Sequence, residues 1–387
     1  MAKHRLGSIC RIISGSTPKT GIPEYWDGDK KWVTPAELSE SDYIINDTQR
    51  KLTEAGVKAA GLTLLPEGTV ILSSRAPIGK VAIAGCEMYC NQGFKNLVCS
   101  DIIFNKYLYW YLRGKTDFLN SLGRGATFKE ISKSTVSEIE IDVPSYPEQM
   151  EAVHKLEKLQ VILTLRRAQL AKLDELVKCR FIELYGDPVY NPNKWKEVPL
   201  YAIADVVSGI TKGRKIADTQ LTEVPYMSVC NVKDGYIEWN NLKTIPATDK
   251  EISQYRLLPN DVLMTEGGDP DKVGRGAIIY SPPHNCIHQN HIFRVRLSSQ
   301  VDSIYFEQYL QHAKAKQYFL RSAKQTTGIA SINMSQLKAM PVLLAPPNLQ
   351  TSFADFVRRI DKSRFAIQAS LDKTQQLFDS LMQEYFG

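Results

Sequence analysis

Two long stretches of the chain carry apolar residues at alternating steps of three and four positions, the heptad pattern of paired helices. The first stretch, residues 148–185, contains no glycine or proline, and a proline-rich turn precedes each stretch. A helix of about 38 residues would be about 57 Å long and needs a partner face. We therefore expect the two helices to pair as a coiled coil, with two separate amphipathic helices as the alternative. The expected contact residues are Leu156, Leu159, Leu163, Leu170, Leu173, Val177 and Leu184 in the first helix, and Val357, Ile360, Ile367, Leu371, Phe378 and Leu381 in the second.

Outside these helices the pattern changes to short apolar runs separated by Gly, Pro, Ser and Asp. Runs of this kind predict strands bounded by turns, and the apolar spacing of two longer segments predicts helices. The mixture indicates two α+β units rich in strands and loops. The predicted strands lie at 69–72, 80–84, 139–143, 261–264 and 277–280, and the predicted helices at 105–113 and 303–320.

The whole arrangement occurs twice along the chain. The offset between matched positions grows from 194 to 201 residues, which is too long for a solenoid of short repeats and indicates two copies of a domain followed by a helix. Two similar domains held at a fixed distance are suited to reading two sites at once. The matched segments are LGSICRIISG (6–15) with LYAIADVVSG (200–209), ILSSRAPIGKVAI (71–83) with VLMTEGGDPDKVGRGAII (262–279), and Asn91-Gln92 with His288-Gln289.

Composition and charge are those of a globular protein. A hydrophobic content of 43% and a charged content of 23% exclude wholesale disorder. No run approaches the roughly 18 apolar residues of a membrane span, and no signal-peptide pattern is present. The seven scattered cysteines favour reduced thiols, so we expect a cytoplasmic protein. The net charge of +6 permits a nucleic-acid partner without requiring one.

Sequence motifs of enzymes are missing from the chain. It has neither the Asn/Asp-Pro-Pro-aromatic motif of adenine methyltransferases nor a glycine-rich phosphate loop, so we expect no catalytic residues. Histidines and a cysteine at 284–291 would suit zinc if they converged. On a strand, however, His284, Cys286 and His288 share one face, which favours an ordinary strand and no metal. A metal-dependent enzyme built on this cluster is the rival hypothesis.

Four segments, in the same order in both copies, resemble the specificity subunits of type I restriction–modification systems. Residues 125–149 (GATFKEISKSTVSEIEIDVPSYPEQ) and 327–350 (TGIASINMSQLKAMPVLLAPPNLQ) resemble the passage that closes a target-recognition domain in that family. Residues 185–195 (YGDPVYNPNKW) resemble its junction between the central helix and the second domain. The resemblance covers essentially the whole chain. One departure is Leu349, where the first copy has Glu148.

The resemblance implies an α+β fold with two similar strand-rich target-recognition domains, separated by two long helices that form an antiparallel coiled coil. It places the first domain at 1–147, the central helix and linker at 148–190, the second domain at 191–347 and the C-terminal helix at 348–387. Each domain would bind half of a bipartite DNA target. The helices would act as a ruler, and their length leaves a gap of about 5–8 base pairs between half-sites.

The resemblance also implies partners that perform the chemistry. Two adenine methyltransferase subunits would dock on the helices, and restriction/translocase subunits would complete the complex. S-adenosylmethionine and ATP with Mg²⁺ would bind to those partners, and no cofactor to this chain. The alternative function is a tandem nucleic-acid-binding regulator that needs no methyltransferase.

Basic and amide residues on the recurring loops are the candidates for DNA contact. Asn and Gln side chains can pair with adenine, whereas Lys and Arg would serve phosphates. For any single residue, a solvated charge or a turn-stabilising amide is an equal alternative. The candidates are Ser74, Arg75, Asn91, Gln92, Arg124, Thr127 and Lys129 in the first copy, and Thr265, Lys272, Arg275, Gln289, Asn290, Lys324, Gln325 and Thr327 in the second.

Overall fold

The chain folds into two compact units, each with its own hydrophobic core. The computed structural model describes residues 2–39, 43–125, 129–215, 220–269, 273–326 and 329–387. Unit 1 comprises Met1–Arg167 and Ala369–Gly387, and unit 2 comprises Ala168–Gln368. No helix within the described ranges has the length and apolar character needed to cross a membrane.

The first globular part mixes short helices with strands, as the sequence predicts. Its predicted strands are confirmed to within two residues, and the predicted helix at 105–113 is confirmed as α3. The elements are β1 Ala2–Arg5, α1 Leu6–Ile9, β2 Cys10–Ser14, β3 Trp26–Val33, β4 Ile44–Ile45, β5 Arg50–Leu52, α2 Glu54–Ala59, β6 Val70–Leu72, β7 Val81–Ala84, β8 Tyr89–Cys90, β9 Lys95–Cys99, α3 Asn105–Gly114, α4 Thr116–Leu122, α5 Lys133–Ser137, β10 Glu140–Val143 and the long helix α6 Tyr146–Tyr185.

Three sheets form the scaffold of unit 1. The largest has the order β2-β9-β6-β7-β4, a second has the order β5-β3-β8, and β1 pairs with β10. Strand β6 is buried on both faces: Val70 and Leu72 pack into the cluster under α3, while Ile71 packs into a second cluster around Phe94. Successive strand residues point to opposite faces, so a strand covered on both sides is continuously apolar.

The second globular part repeats this order of elements. They are β11 Lys196–Pro199, β12 Ala204–Ser208, β13 Thr222–Met227, β14 Lys243–Ala247, α7 Asp249–Tyr255, β15 Val262–Thr265, β16 Gly267–Gly268, β17 Gly276–Ile278, β18 Ile287–His288, β19 Ile292–Leu297, α8 Ser303–Gln311, α9 Ala313–Ser322, β20 Lys324–Thr326, β21 Ile329–Ser331, α10 Met334–Lys338, β22 Pro341–Leu344 and the long helix α11 Pro347–Phe386.

The sheets of unit 2 correspond to those of unit 1. Their orders are β12-β19-β15-β17, β14-β13-β18 and β11-β22, with an additional small sheet β16-β21-β20. Hydrogen bonds repeat as well: Leu6 N donates to Ile139 O at 2.9 Å, and Leu200 N donates to Met340 O at 2.9 Å. The internal repeat inferred from the sequence is therefore a repeat of topology and of hydrogen bonding.

The two long helices pack against each other within each unit, and they run antiparallel. In unit 1 the Arg167 guanidinium donates to Gln375 Oε1 at 3.0 Å. In unit 2 Arg364 donates to Asp174 Oδ1 at 2.8 Å, and the Phe181 and Phe353 rings lie 5.5 Å apart. The predicted coiled-coil pairing is confirmed.

All the residues predicted to lie at the helix contact are at least partly shielded from solvent. The buried ones are Leu156, Leu163, Val177 and Val357, and the half-buried ones are Leu159, Leu170, Leu173, Leu184, Ile360, Ile367, Leu371, Phe378 and Leu381.

The prediction of a single helix over 303–320 is wrong. Helix α8 ends at Gln311 and α9 begins at Ala313, because His312 between them is extended with φ −81° and ψ 158°. The His312 ring stacks on Phe181 at 4.2 Å, and burial lowers its pKa to about 4, so the ring is neutral in the core at pH 7. The helix is thus interrupted at His312 without glycine or proline, at the point where the His312 ring contacts Phe181.

A buried glutamine ties the start of each long helix to its globular part. Gln149 accepts a hydrogen bond from Phe104 N at 2.7 Å and donates to the carbonyls of Ile102 and Pro144, both at 3.0 Å. The amide oxygen thus accepts one hydrogen bond and the amide NH₂ group donates two. These three bonds fix the side chain between three segments of unit 1. Gln350 repeats these bonds in unit 2, with Asp302 N at 2.8 Å, Gln300 O at 3.1 Å and Ala345 O at 2.7 Å as partners.

Each copy also requires glycine directly after β2 or its counterpart β12. A Cβ atom on Gly15 would lie 2.0 Å from Asn91 O, and one on Gly209 would lie 1.9 Å from His288 O. These distances are far below van der Waals contact, so only glycine lets the two backbone segments approach. The repeated Ser-Gly at the end of the matched segments has this steric cause.

Candidate nucleic-acid interface

Three loops from distant parts of the chain meet at one edge of unit 1. Ser74 N donates to Gly93 O at 2.7 Å, which joins the exit of β6 to the turn before β9. Ile131 N donates to Ser74 O at 3.0 Å, and Arg124 and Glu130 exchange two backbone hydrogen bonds of 3.0 Å, which adds a hairpin. We call residues 73–75, 91–93, 124–125 and 129–130 the loop edge of unit 1.

The same three connections recur in unit 2. Glu266 N donates to His291 O at 3.0 Å, and Ile332 N donates to Glu266 O at 2.8 Å. The hairpin pairs Lys324 with Ser331, as Arg124 pairs with Glu130 in unit 1, and its strand β21 also pairs Ser331 with Gly267. We call residues 265–268, 289–291, 324 and 330–331 the loop edge of unit 2. The hydrogen bonds make Glu266 the counterpart of Ser74, and therefore Gly267 the counterpart of Arg75.

The loop edge of unit 1 holds a network of charged side chains. Lys95 Nζ lies 3.0 Å from Glu130 Oε1 and 3.3 Å from Ser74 Oγ. The other carboxylate oxygen of Glu130 lies 3.8 Å from Arg75 Nη1. The Lys95 side chain is only 8% exposed, whereas those of Arg75 and Glu130 are 35% and 39% exposed. A buried ammonium group needs a paired carboxylate, so Lys95 holds Glu130 in place beside Arg75.

The loop edge of unit 2 has different chemistry at the corresponding positions. His291 Nδ1 lies 2.5 Å from Glu266 Oε2, and this imidazole–carboxylate pair is partly exposed. Arg275 is half-buried, and its carbonyl oxygen accepts a hydrogen bond from Thr265 N at 3.2 Å. Arg275 thereby corresponds to Lys80, whose carbonyl accepts from Ser73 N at 2.9 Å. Similar backbones thus present different functional groups at Glu266 and His291, the counterparts of Ser74 and Gly93, whereas Arg275 keeps the basic character of Lys80.

The amide side chains of the turns at 91–92 and 289–290 correspond between the two copies with a shift of one residue from the alignment made on sequence. Asn91 N donates to Val33 O at 3.0 Å, and Gln289 N donates to Met227 O at 3.0 Å. Asn91 is therefore the counterpart of Gln289, and Gln92 that of Asn290, so the pairing of Asn91-Gln92 with His288-Gln289 is wrong. Backbone contacts with a neighbouring strand define this register, and the side chains alone do not reveal it.

Hydrogen bonds within the turns already engage part of these amides. Asn91 Oδ1 accepts from Gly93 N at 2.7 Å, which closes an Asx turn, and the exposed Gln92 contacts the Thr17 hydroxyl. Asn290 Nδ2 lies 3.5 Å from the imidazole of His291. Of the two candidate amides of unit 1, Gln92 is the more exposed.

The remaining candidates differ in their access to solvent. Ser74 and Thr265 are fully buried, so their side chains are corrected from candidate contacts to parts of the scaffold. Arg124, Lys129 and Lys324 are exposed on the hairpins, where they remain candidates. Gln325 lies on β20. Thr127, Lys272 and Thr327 lie outside the described residues.

The histidine and cysteine cluster at 284–291 is spread between core and surface. His288 is fully buried in the core, with Nδ1 3.1 Å from Tyr255 O, and burial lowers its pKa to about 4. Cys286 is buried as well, whereas His284 and His291 are exposed. Across the described parts of the chain, no three His, Cys, Asp or Glu residues are grouped so as to hold a metal ion.

One family model matches both copies of the repeat. The model described as the type I restriction modification DNA specificity domain matches residues 1–175 and 192–376. The chain belongs to the type I restriction–modification specificity family. This match confirms the resemblance drawn from the repeated segments, and it assigns both copies of the repeat to the same domain type.

Known specificity subunits resemble this chain over most of its length. It is 28% identical over 398 residues to the type I restriction enzyme MjaIX specificity subunit of Methanocaldococcus jannaschii, covering 98% of the chain and 90% of the relative. It is 23% identical over 327 residues to the EcoKI specificity subunit of Escherichia coli K12, covering 80% and 70%. The crystal structure of the S subunit from M. genitalium shares the fold, with a TM-score of 0.59 at 15% identity over 100% of this chain and 96% of that one.

Two residues of the charge network at this specificity subunit's first loop edge were not among the sequence candidates. Lys95 is the first residue of β9, whose first three residues are buried, and a lysine in a buried strand is itself a signal of a paired charge. Glu130 lies in a segment quoted for the family resemblance, but nothing local marks it as a partner of Arg75, which is 55 positions earlier. Only the folded chain brings the three charges together.

Proposed function

We propose that this chain is the DNA-recognition subunit of a type I restriction–modification complex and reads a duplex target in two parts. Each unit would bind one half-site through its loop edge. The observation that supports this most directly is that the same three loops converge in both units while their side chains differ. Equivalent scaffolds with different contact groups suit a target whose two halves differ in sequence.

We infer that partner subunits perform the chemistry. Two adenine methyltransferase subunits would supply S-adenosylmethionine and methyl transfer, and restriction/translocase subunits would supply ATP- and Mg²⁺-dependent cleavage. The family membership supports this assignment, as does the lack of an Asn/Asp-Pro-Pro-aromatic motif in the sequence. On this proposal the chain itself is not an enzyme.

We further propose that the long helices set the gap between half-sites and provide surface for the methyltransferases. Helices α6 and α11 each contain 40 residues, which corresponds to about 60 Å. Val161 and Leu165 of α6 are 57% and 59% exposed, away from the face that pairs with α11. Apolar side chains left exposed on a helix are typical of protein-binding surfaces.

The test is methylation mapping in a host without endogenous N6-methyladenine. Co-expression of the chain with its methyltransferase subunits should produce adenine methylation at one bipartite motif. Omitting the chain should abolish that methylation, and the chain without methyltransferase should bind duplex DNA without modifying it. A regulator that acts alone would leave methylation unchanged by its presence, and that result would refute the proposal.

A further inference from the structure

We propose that Arg75 reads a guanine base within the half-site of unit 1, and that Glu130 is the residue that positions it. This inference rests on the proposed function, and it assigns Arg75 a role in sequence discrimination rather than in phosphate contact. Among the described residues, Glu130 is the one that forms an ion pair with Arg75, and Lys95 pairs with the same carboxylate.

Glu130 is fixed before any ligand arrives. Its Oε1 accepts from Lys95 Nζ at 3.0 Å, and Lys95 is anchored a second time by Ser74 Oγ at 3.3 Å. The backbone of Glu130 is held through its two hydrogen bonds with Arg124, each 3.0 Å. The remaining oxygen, Oε2, faces Arg75 Nη1 at 3.8 Å and restrains one end of the guanidinium.

The stem of Arg75 is also supported, while its head stays accessible. A Cβ atom built on Gly93 would lie 3.5 Å from Arg75 Cγ, so the arginine stem runs beside this turn. The side chain remains 35% exposed. A guanidinium carries five N–H donors in a fixed plane, and within the described ranges only the donor facing Glu130 has a partner, so the others can serve a ligand.

The neighbouring carboxylate decides between a base and a phosphate. Glu130 offsets part of the positive charge of Arg75 and Lys95, so a phosphate at the head of Arg75 would be attracted less strongly than at an unpaired arginine. The O6 and N7 atoms of guanine are neutral acceptors spaced for a bidentate arginine, and this pairing is the commonest specific contact in the major groove. The network therefore favours a guanine over a backbone phosphate.

The repeat shows that the network is particular to unit 1. Gly267 replaces Arg75, and Ser331 replaces Glu130 in the corresponding hairpin pair. Val70 pairs with Leu97 as Val262 pairs with Val295, which places Phe293 at the position of Lys95. Because all three charged members are replaced together, the network is separable from the shared scaffold, and unit 2 must read its half-site by other groups.

The experiment is selection from a randomised duplex library, using the full chain in complex with its methyltransferase subunits. Wild type should select two half-sites, one of which contains a G·C pair that Arg75→Ala and Arg75→Lys no longer select. On the selected duplex these variants should bind about 10- to 100-fold more weakly, and on a duplex changed at that pair they should equal wild type. The salt dependence of binding should be unaltered, because no phosphate contact is lost.

Glu130→Gln tests the positioning role separately. It should reduce discrimination at the same base pair while leaving the other half-site and the salt dependence unchanged. Lys58→Ala, at an exposed cation of α2 outside the loop edge, is the matched control and should leave base preference intact. Thermal unfolding of each complex checks folding, and Arg75→Lys keeps the charge if Arg75→Ala is unstable.

Three results would overturn the inference. If Arg75→Ala weakens all sequences equally and lowers the salt slope by about one, Arg75 is a phosphate contact. If base preference is unchanged in Arg75→Ala and Arg75→Lys, the network is only structural. If wild type selects no two-part motif, the proposed function itself fails, which is distinguishable because the other two results both require a wild-type motif.

Discussion

Gln149 joins the start of α6 to two segments of unit 1 through three hydrogen bonds, and its own side chain is fully buried. Gln149→Leu keeps the side-chain volume but removes all three bonds. Phe104 N and the Pro144 carbonyl are then left unpaired and half-buried, whereas the more exposed Ile102 carbonyl can bind water. An unpaired buried polar group costs about 1–3 kcal/mol, so we expect a loss of about 2–4 kcal/mol. A typical domain is stabilised by about 5–15 kcal/mol.

Hydrogen–deuterium exchange of the full chain measures this loss where it occurs. Peptides covering residues 100–112 and 144–156 should lose protection in Gln149→Leu, while unit 2 peptides should not. Gln350→Leu should produce the mirror result in unit 2, and Gln169→Leu, at an exposed position of the same helix, should change stability by less than about 0.5 kcal/mol. If Gln149→Leu exchanges like Gln169→Leu, the reasoning about the joint is refuted.

The other predictions concern pH, close backbone contacts and modularity. The Arg214 guanidinium lowers the pKa of Glu251 from 4.5 to about 2, so the pair stabilises unit 2 above about pH 4.5 and loses this effect as the pH falls. Urea midpoints of wild type and Glu251→Gln should differ at pH 7 and converge near pH 2; a constant difference would contradict this. Gly15→Ala should cost about 3 kcal/mol or more and impair only the first half-site, and Gly209→Ala only the second, as methylation mapping would show. Replacing residues 1–145 with those of a relative should change one half of the target, and adding a heptad to both helices should change only the gap. A change in both halves would count against modular recognition.

The spacing of apolar residues along the chain was enough to predict the long helices and many of the strands. The heptad spacing of Leu156, Leu163 and Val177 predicts the paired face of α6, because a helix brings residues three and four apart onto one side. Short apolar runs such as Val70–Leu72 predict buried strands for a similar local reason. The repeat itself was visible because matched residues occur in the same order, whatever their contacts.

Contacts between residues far apart in the sequence determine the features that the spacing of residues along the chain does not predict. The chain breaks at His312 where its ring meets Phe181, a residue 131 positions earlier, and no turn residue announces it. The register that equates Asn91 with Gln289 depends on hydrogen bonds to other strands. For the same reason the candidate list contained Arg75 but not Glu130.

Periodicity depends only on neighbouring residues, so the two helices, the strand-rich domains and the duplication can be deduced from the order of amino acids. A recognition surface depends on which loops the folded sheets bring to one edge, and on which charges are then buried together. Lys95, Glu130 and Arg75 acquire a joint role only when β9, the hairpin and the exit of β6 meet. The distances between these three side chains determine how Arg75 is held. The spacing of the three residues along the chain does not specify those distances.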